Sequence, residues 1–147
     1  MGMKGEELVS AIRRKDYVRI KQILEEGVNP DEHVDRELPL NIAIENQDFE
    51  IVKILIDSGV NCDPNVFYPL YPLVLSVEQV IKAKTLDVKH PTVQILHLLL
   101  NHGAKASELV HANFSRTKLS PVKGLSELLS RYGWYDAMEH HRGGGPP

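Results

Sequence analysis

A chain of 147 residues, 42% apolar and 25% charged, has the composition of one globular domain long enough to bury a core. Its charge is mildly negative overall, −3, no apolar run approaches the length of a membrane span, and a single cysteine excludes an intramolecular disulfide framework. The opening residues show no secretory h-region, and the sixth residue is Glu6 where a myristoylated chain has Ser or Thr. The expected setting is therefore a reducing one, the cytoplasm first and the nucleus second. Charge is unevenly spread. Residues 1–30 carry six Lys/Arg against five Asp/Glu, residues 31–63 two against nine, and residues 64–147 nine against six. The acidic middle attracts basic partners and repels nucleic acid.

In chain order, Leu8, Val9 and Ile12 mark a first helix, and Tyr17, Val18, Ile20, Ile23 and Leu24 a second. The basic cluster Arg13, Arg14, Lys15, Arg19 and Lys21 fits the polar outer side that a terminal unit requires. Asn29-Pro30-Asp31 has turn chemistry and begins the connection to the next unit. Pro39 suits the first turn of a helix, and Leu40, Ile42, Ala43 and Ile44 follow. Asp48 is placed as an N-cap for a helix carrying Phe49, Ile51, Val52, Leu55 and Ile56, closed by Gly59 in a left-handed conformation. Asp63 to Pro72 holds three prolines and three aromatics, so this connection is expected to be stiff. Phe67 and Tyr68 would form an aromatic anchor if they point outward. A third helix pair starts at Pro72 and carries an insertion around Gln79–His90, with its first helix extended to about Thr85 or Leu86. Pro91 restarts the second helix, which runs from about Val93 to Asn101. Lys105 to Leu119 reads as another projecting connection, with a helical turn at 108–112. Ser120-Pro121 reads as an N-cap followed by proline at the first helical position, opening a helix with Val122, Leu125, Leu128 and Leu129 on its apolar stripe that ends near Gly133.

These units repeat. A shift of thirty-two residues places Ala11 on Ala43, Asp16 on Asp48, and Gly27-Val28-Asn29 on Gly59-Val60-Asn61; thirty-three places Pro39 on Pro72; forty-four places Leu55 on Leu99 and Gly59 on Gly103. A period near thirty-three with two helices per unit signals a repeat architecture. Leu38-Pro39-Leu40-Asn41-Ile42-Ala43 resembles the Thr-Pro-Leu-His-x-Ala signature of the ankyrin-repeat family, and Glu50-Ile51-Val52 through Gly59 resembles its second helix. The resemblance covers about residues 5 to 107. It implies an all-α solenoid of helix-turn-helix units joined by hairpin-like fingers, the first with its tip near Val34, Asp35 and Arg36. Repeats are expected at about 5–33, 34–66 and 67–107, the last with the insertion at 79–90, then a degenerate cap at 108–133 and a flexible tail at 134–147. The chain departs from the signature at several positions: Glu6, Leu38 and Tyr71 replace its Thr, and Val9, Asn41 and Val74 its His. Lys15 and Gln47 stand where the family has glycine between its helices.

Catalytic chemistry finds little support. His97 and His102 are five apart and do not share a helix face as a zinc-binding pair would, and His140-His141 has no ligand partners at a recognised spacing. Cys62 has Asp63 beside it, the wrong neighbour for an activated thiol. No phosphate loop, dinucleotide fingerprint or nucleophile elbow occurs. No cofactor, metal or enzymatic activity is expected. Ser120-Pro121 is a candidate phosphosite at what reads as a positive helix end.

The resemblance instead implies a protein-binding module whose ligand face is the concave groove of fingers and first helices. Carried onto this sequence, that face comprises Arg13 and Arg14; Val34, Asp35, Glu37, Glu45 and Asn46; and Phe67, Tyr68, Leu70, Glu78 and Gln79. The expected partner is another protein presenting a basic or amphipathic segment, rather than nucleic acid or membrane, with the chain a monomer or one member of a hetero-complex. Two alternatives compete with this reading: a metal-dependent enzyme or regulator using the histidines, and a subunit of a larger assembly docked through an exposed end of the stack.

Overall fold

Helices of seven to nine residues are too short to hold together in water, and each here has one apolar face that only a neighbour can cover. The computed structural model, which describes residues 2–64, 71–107, 109 and 114–134, shows how the neighbours are supplied. Eight helices lie among the described residues: α1 (Gly2–Arg14), α2 (Tyr17–Glu25), α3 (Pro39–Glu45), α4 (Phe49–Asp57), α5 (Pro72–Ala83), α6 (Pro91–Asn101), α7 (Arg116–Leu119) and α8 (Leu125–Ser130). They pair as α1 with α2, α3 with α4, α5 with α6 and α7 with α8; α1, α3 and α5 pack in succession as one row, and α4 packs on α6 in the other.

The core runs between the two rows. Leu8, Ile12, Leu40, Ile44 and Leu73 fill it from the inner row, and Ile20, Ile23, Ile51, Leu55, Ile95 and Leu99 from the outer, all essentially without solvent exposure. Fully burying each such side chain is worth about 1.5–3 kcal/mol, so packing and not helix propensity holds these short segments. At the positions where the signature has hydrogen-bonding residues, Val9, Leu38 and Val74 are buried as well. Apolar packing has taken over there.

Each helix end is specified locally. Asp16 and Asp48 accept the N–H groups of Arg19 and Ile51, each at 3.1 Å. Pro39, Pro72 and Pro91 occupy first-turn positions. The closing turns follow one design: Val60 N–H reaches Leu55 C=O, Ala104 N–H reaches Leu99 C=O, and Trp134 N–H reaches Leu129 C=O, at 3.1–3.2 Å, over Gly59, Gly103 and Gly133 at φ 97°, 101° and 101°. This is the Schellman geometry that favours glycine. The same geometry recurs at Gly133, after α8. The turns between paired helices use it too, but with Lys15 at φ 58° and Gln47 at φ 55°.

The connections are joined by a ladder of side-chain caps. Asn29 Oδ1 accepts the Asp31 N–H (2.9 Å), Asp31 Oδ1 accepts the Asn61 N–H of the next unit (2.8 Å), Asn61 Oδ1 accepts the Asp63 N–H (2.9 Å), and Asp63 Oδ1 accepts the Lys105 N–H of the third (3.5 Å). The first finger is a minimal hairpin. Val34 and Glu37 exchange both backbone hydrogen bonds, at 2.8 and 3.0 Å, around Asp35 and Arg36 at φ 51° and 67°, the signs that a type I′ turn requires.

Three expectations are corrected. The first helix of the third pair stops at Ala83, not Thr85 or Leu86, because Lys84 turns left-handed at φ 55°. The Ser120-Pro121 pair does not open a helix. Ser115 caps α7 by accepting the Lys118 N–H (3.2 Å), Ser120 follows as its C-cap with Oγ donating to Thr117 C=O (2.7 Å), and α8 starts after Gly124. Proline serves equally well just after a helix end, since it cannot continue one. Trp134, read as the first residue of the tail, is buried at 3% exposure. The helical turn expected at 108–112 falls largely outside the described residues, as do residues 135–147, including His140 and His141.

Candidate functional site

Three successive helices bring equivalent side chains into line. Arg13, Glu45 and Glu78 hold corresponding positions, near the ends of α1 and α3 and midway along the longer α5, and Arg14, Asn46 and Gln79 come directly after them. Arg13, Arg14, Glu45 and Asn46 are exposed, and Glu78 and Gln79 are half-buried. Two bonds fix this row. Gln79 Nε2 donates to the Glu45 carbonyl at 3.3 Å, tying α5 to α3 while leaving the Glu45 carboxylate outside the bond. Arg13 reaches the finger, its Nη2 lying 2.6 Å from Glu37 Oε2. Both partners are about half exposed, so the pair is worth at most about 1 kcal/mol; it links the finger to the end of α1.

The finger residues divide by role. Val34 is half-buried, packed so closely on α1 that a Cβ at Gly5 would stand 3.1 Å from its Cγ2. Glu37 is engaged by Arg13. Asp35, at the tip, is exposed and joins none of the ion pairs among the described residues. The acidic groups offered outward along this row are thus Asp35, Glu45 and Glu78. Phe67, Tyr68 and Leu70 lie outside the described residues.

The remaining candidates for chemistry are placed as follows. His102 Nδ1 lies 2.8 Å from the Leu98 carbonyl, and His90 caps α6, its Nδ1 accepting the Thr92 N–H at 3.2 Å. Among the described residues no three His, Cys, Asp or Glu side chains converge as a metal site would require. Cys62 is buried; burial pushes its thiol up to about 11, with the Asp31 and Asp63 carboxylates adding to the rise. It is a protonated packing group at neutral pH, not a nucleophile. Tyr17 donates its hydroxyl to Asp48 Oδ2 at 2.9 Å, and that bond raises the phenol above its ordinary value. Ser120 is exposed, but at the C-terminal, negative end of α7, where a phosphate would not find the positive helix end expected for it.

One feature escaped the sequence reading. An open groove of about 420 Å³ lies between α4 and α6, lined by Phe49, Val88, Gln94, His97, Leu98 and Asn101. Val88, 63% exposed, is its signal: an apolar residue between Asp87 and Lys89 at the tip of the insertion.

A stack of helix pairs on one closing turn, with hairpin fingers along an edge, defines a helical-repeat protein. The second unit with its finger, residues 35–66, matches the ankyrin repeat family model, and the stack as a whole is consistent with a divergent ankyrin-repeat protein. No curated protein and no solved structure matches the chain. Ankyrin repeats act as protein–protein interaction modules. None of the helices among the described residues is long and apolar enough to cross a membrane.

Proposed function

We propose that the protein is a non-catalytic binding module that takes a basic or amphipathic segment of another protein across the finger, the ends of α1 and α3, and the middle of α5. The observation that carries this reading is the aligned row itself: Glu45 and Glu78 in register on neighbouring helices, with the exposed Asp35 on the hairpin as a third acid. A bound strand or helix laid along the row meets Glu45 and then Glu78, while Arg13 and Arg14 at its head set a limit of opposite sign. The burial and raised pKa of Cys62 agree with a role that needs no nucleophile. Phe67 and Tyr68 complete the proposed face as its apolar anchor.

The test is a titration of the full chain with a fluorescent Lys/Leu amphipathic peptide, comparing wild type with the variant carrying Asp35→Lys, Glu45→Lys and Glu78→Lys. Three lost attractions and three new repulsions weaken binding by about tenfold or more. Unchanged affinity in a folded triple variant would remove the acidic row from the proposal.

A further inference from the structure

Ion pairing among the described residues is confined to one half of the chain. Arg13–Glu37, Arg14–Asp16, Arg19–Glu7, Arg19–Glu26 and Lys53–Asp57 all fall within residues 7–57. Residues 71–134 carry eight Lys/Arg against four Asp/Glu. Lys82, Lys84, Lys89 and Lys123 in this half are exposed, and none of those ion pairs includes them.

The insertion gathers these lysines. It lengthens α5 to twelve residues against seven in α3, which places Lys82 one turn beyond Glu78 and ends the helix at Lys84. Leu86, half-buried, then packs where a Cβ on Gly124 would lie 3.4 Å from its Cδ1, seating the insertion beside the turn that bears Lys123. The loop is held by its own bonds: Asp87 N–H to Thr85 Oγ1 at 3.0 Å, Lys89 N–H to Asp87 Oδ1 at 3.0 Å, and His90 N–H to Asp87 C=O at 2.9 Å. Asp87, the acid within this loop, turns one carboxylate oxygen back onto the Lys89 N–H. Glu127 accepts from Ser126 Oγ at 3.2 Å.

We propose that Lys82, Lys84, Lys89 and Lys123 form a second docking surface, for a short acidic peptide segment of a partner protein. Unpaired lysines on a braced ledge repel one another, and an Asp/Glu-rich segment relieves that repulsion while ordering little of the protein. Size selects a peptide over other polyanions. A nucleic-acid duplex or an anionic bilayer extends well past the ledge and brings phosphates toward the acidic 31–63 unit, where charges within about 8 Å act unscreened against it. A peptide advancing about 3.3 Å per residue covers the ledge and stops. This surface is opposite in sign to the acidic row and adjoins it, Lys82 lying one turn beyond Glu78 on α5.

The experiment is fluorescence anisotropy of the full chain with a short labelled Glu-Gly repeat peptide, across a salt series. The wild type binds at low salt and loses affinity as salt rises. The K82E/K84E/K123E variant, with its circular dichroism unchanged, binds about tenfold more weakly or worse, the milder K82Q/K84Q/K123Q set shifts affinity the same way by less, and K21E leaves it unchanged. Asp35→Lys with Glu45→Lys does not weaken this binding, so failure here and failure of the acidic row are separable. Wild-type affinity in both ledge variants overturns the proposal. So does tighter binding of duplex RNA or phosphatidylserine vesicles than of the peptide, or a salt-sensitive dimer abolished by K82E/K84E/K123E, in which a second copy is the occupant.

Discussion

Replacing Gln47 with glycine should make the protein more stable, although it removes an entire side chain. Gln47 sits in the turn between α3 and α4 at φ 55°, its N–H bonded to Ile44 C=O at 2.9 Å and the next N–H, of Asp48, to Ala43 C=O at 3.3 Å. Holding an L-residue in this region costs about 1–2 kcal/mol, which glycine avoids. Glycine in turn loses more freedom on folding, by about 0.5–1 kcal/mol. Because the Gln47 side chain is exposed, nothing of consequence is lost with it, and the net gain is about 0.5–1 kcal/mol. Lys15, at φ 58° and also exposed, is the same case one repeat earlier, so the double variant gains about 1–2 kcal/mol. Thermal and urea melts followed by circular dichroism read this as a rise of roughly 2–4 °C per kcal/mol. Gln47→Ala is the control: it keeps the strain and should gain nothing. Equal stability of the glycine and alanine variants, or a loss in both, would refute the claim that backbone conformation decides this site.

Ser76 is fully buried and its hydroxyl has no hydrogen-bond partner, while Ala11 and Ala43 hold the corresponding positions in the first two units; Ser76→Ala therefore stabilises by about 1 kcal/mol, measured in the same melts. Cys62 gives a pH signature. Its folded thiol titrates near 11 against 9.0 for the free group, so its contribution is complete below pH 9 and is lost as pH rises through 11; Cys62→Ala should flatten the fall in stability over that range, and thiol reagents at pH 8 should label the wild type only as it opens.

What could be read from the residues was whatever has a local cause. Pro39, Pro72 and Pro91 forecast helix starts because a missing N–H is harmless only there. Asp48 forecast its own cap and Gly59 its own left-handed φ, while the hairpin tip at Asp35 followed from the family resemblance. The errors came where one local signal serves two structures. Ser120-Pro121 satisfies a helix start as well as a helix exit, and only the packing of Leu119 and Leu125 into the core decides between them. The end of α5 depended on Lys84 adopting a conformation that its side chain does not favour. Trp134 carries no periodic neighbours, so its burial was invisible until the closing turn at Gly133 was seen to repeat that at Gly59. Of the candidate face, the alignment of residues 13, 45 and 78 was legible from the period alone. The Arg13–Glu37 bond was not, since it joins a finger to a helix twenty-four residues away.

The uneven distribution of ion pairs makes dissolved electrolyte act in two directions within a single molecule. Added salt screens attraction among Arg13, Arg19 and their acidic partners, loosening the head of the array, and in the same solution quiets the crowding of Lys82, Lys84 and Lys123, firming its far end. Whole-molecule melting temperature could stay flat while the least protected amides migrate from one terminus toward the other, so that cell-like and dilute conditions would expose different units of the same solenoid to a partner or a protease.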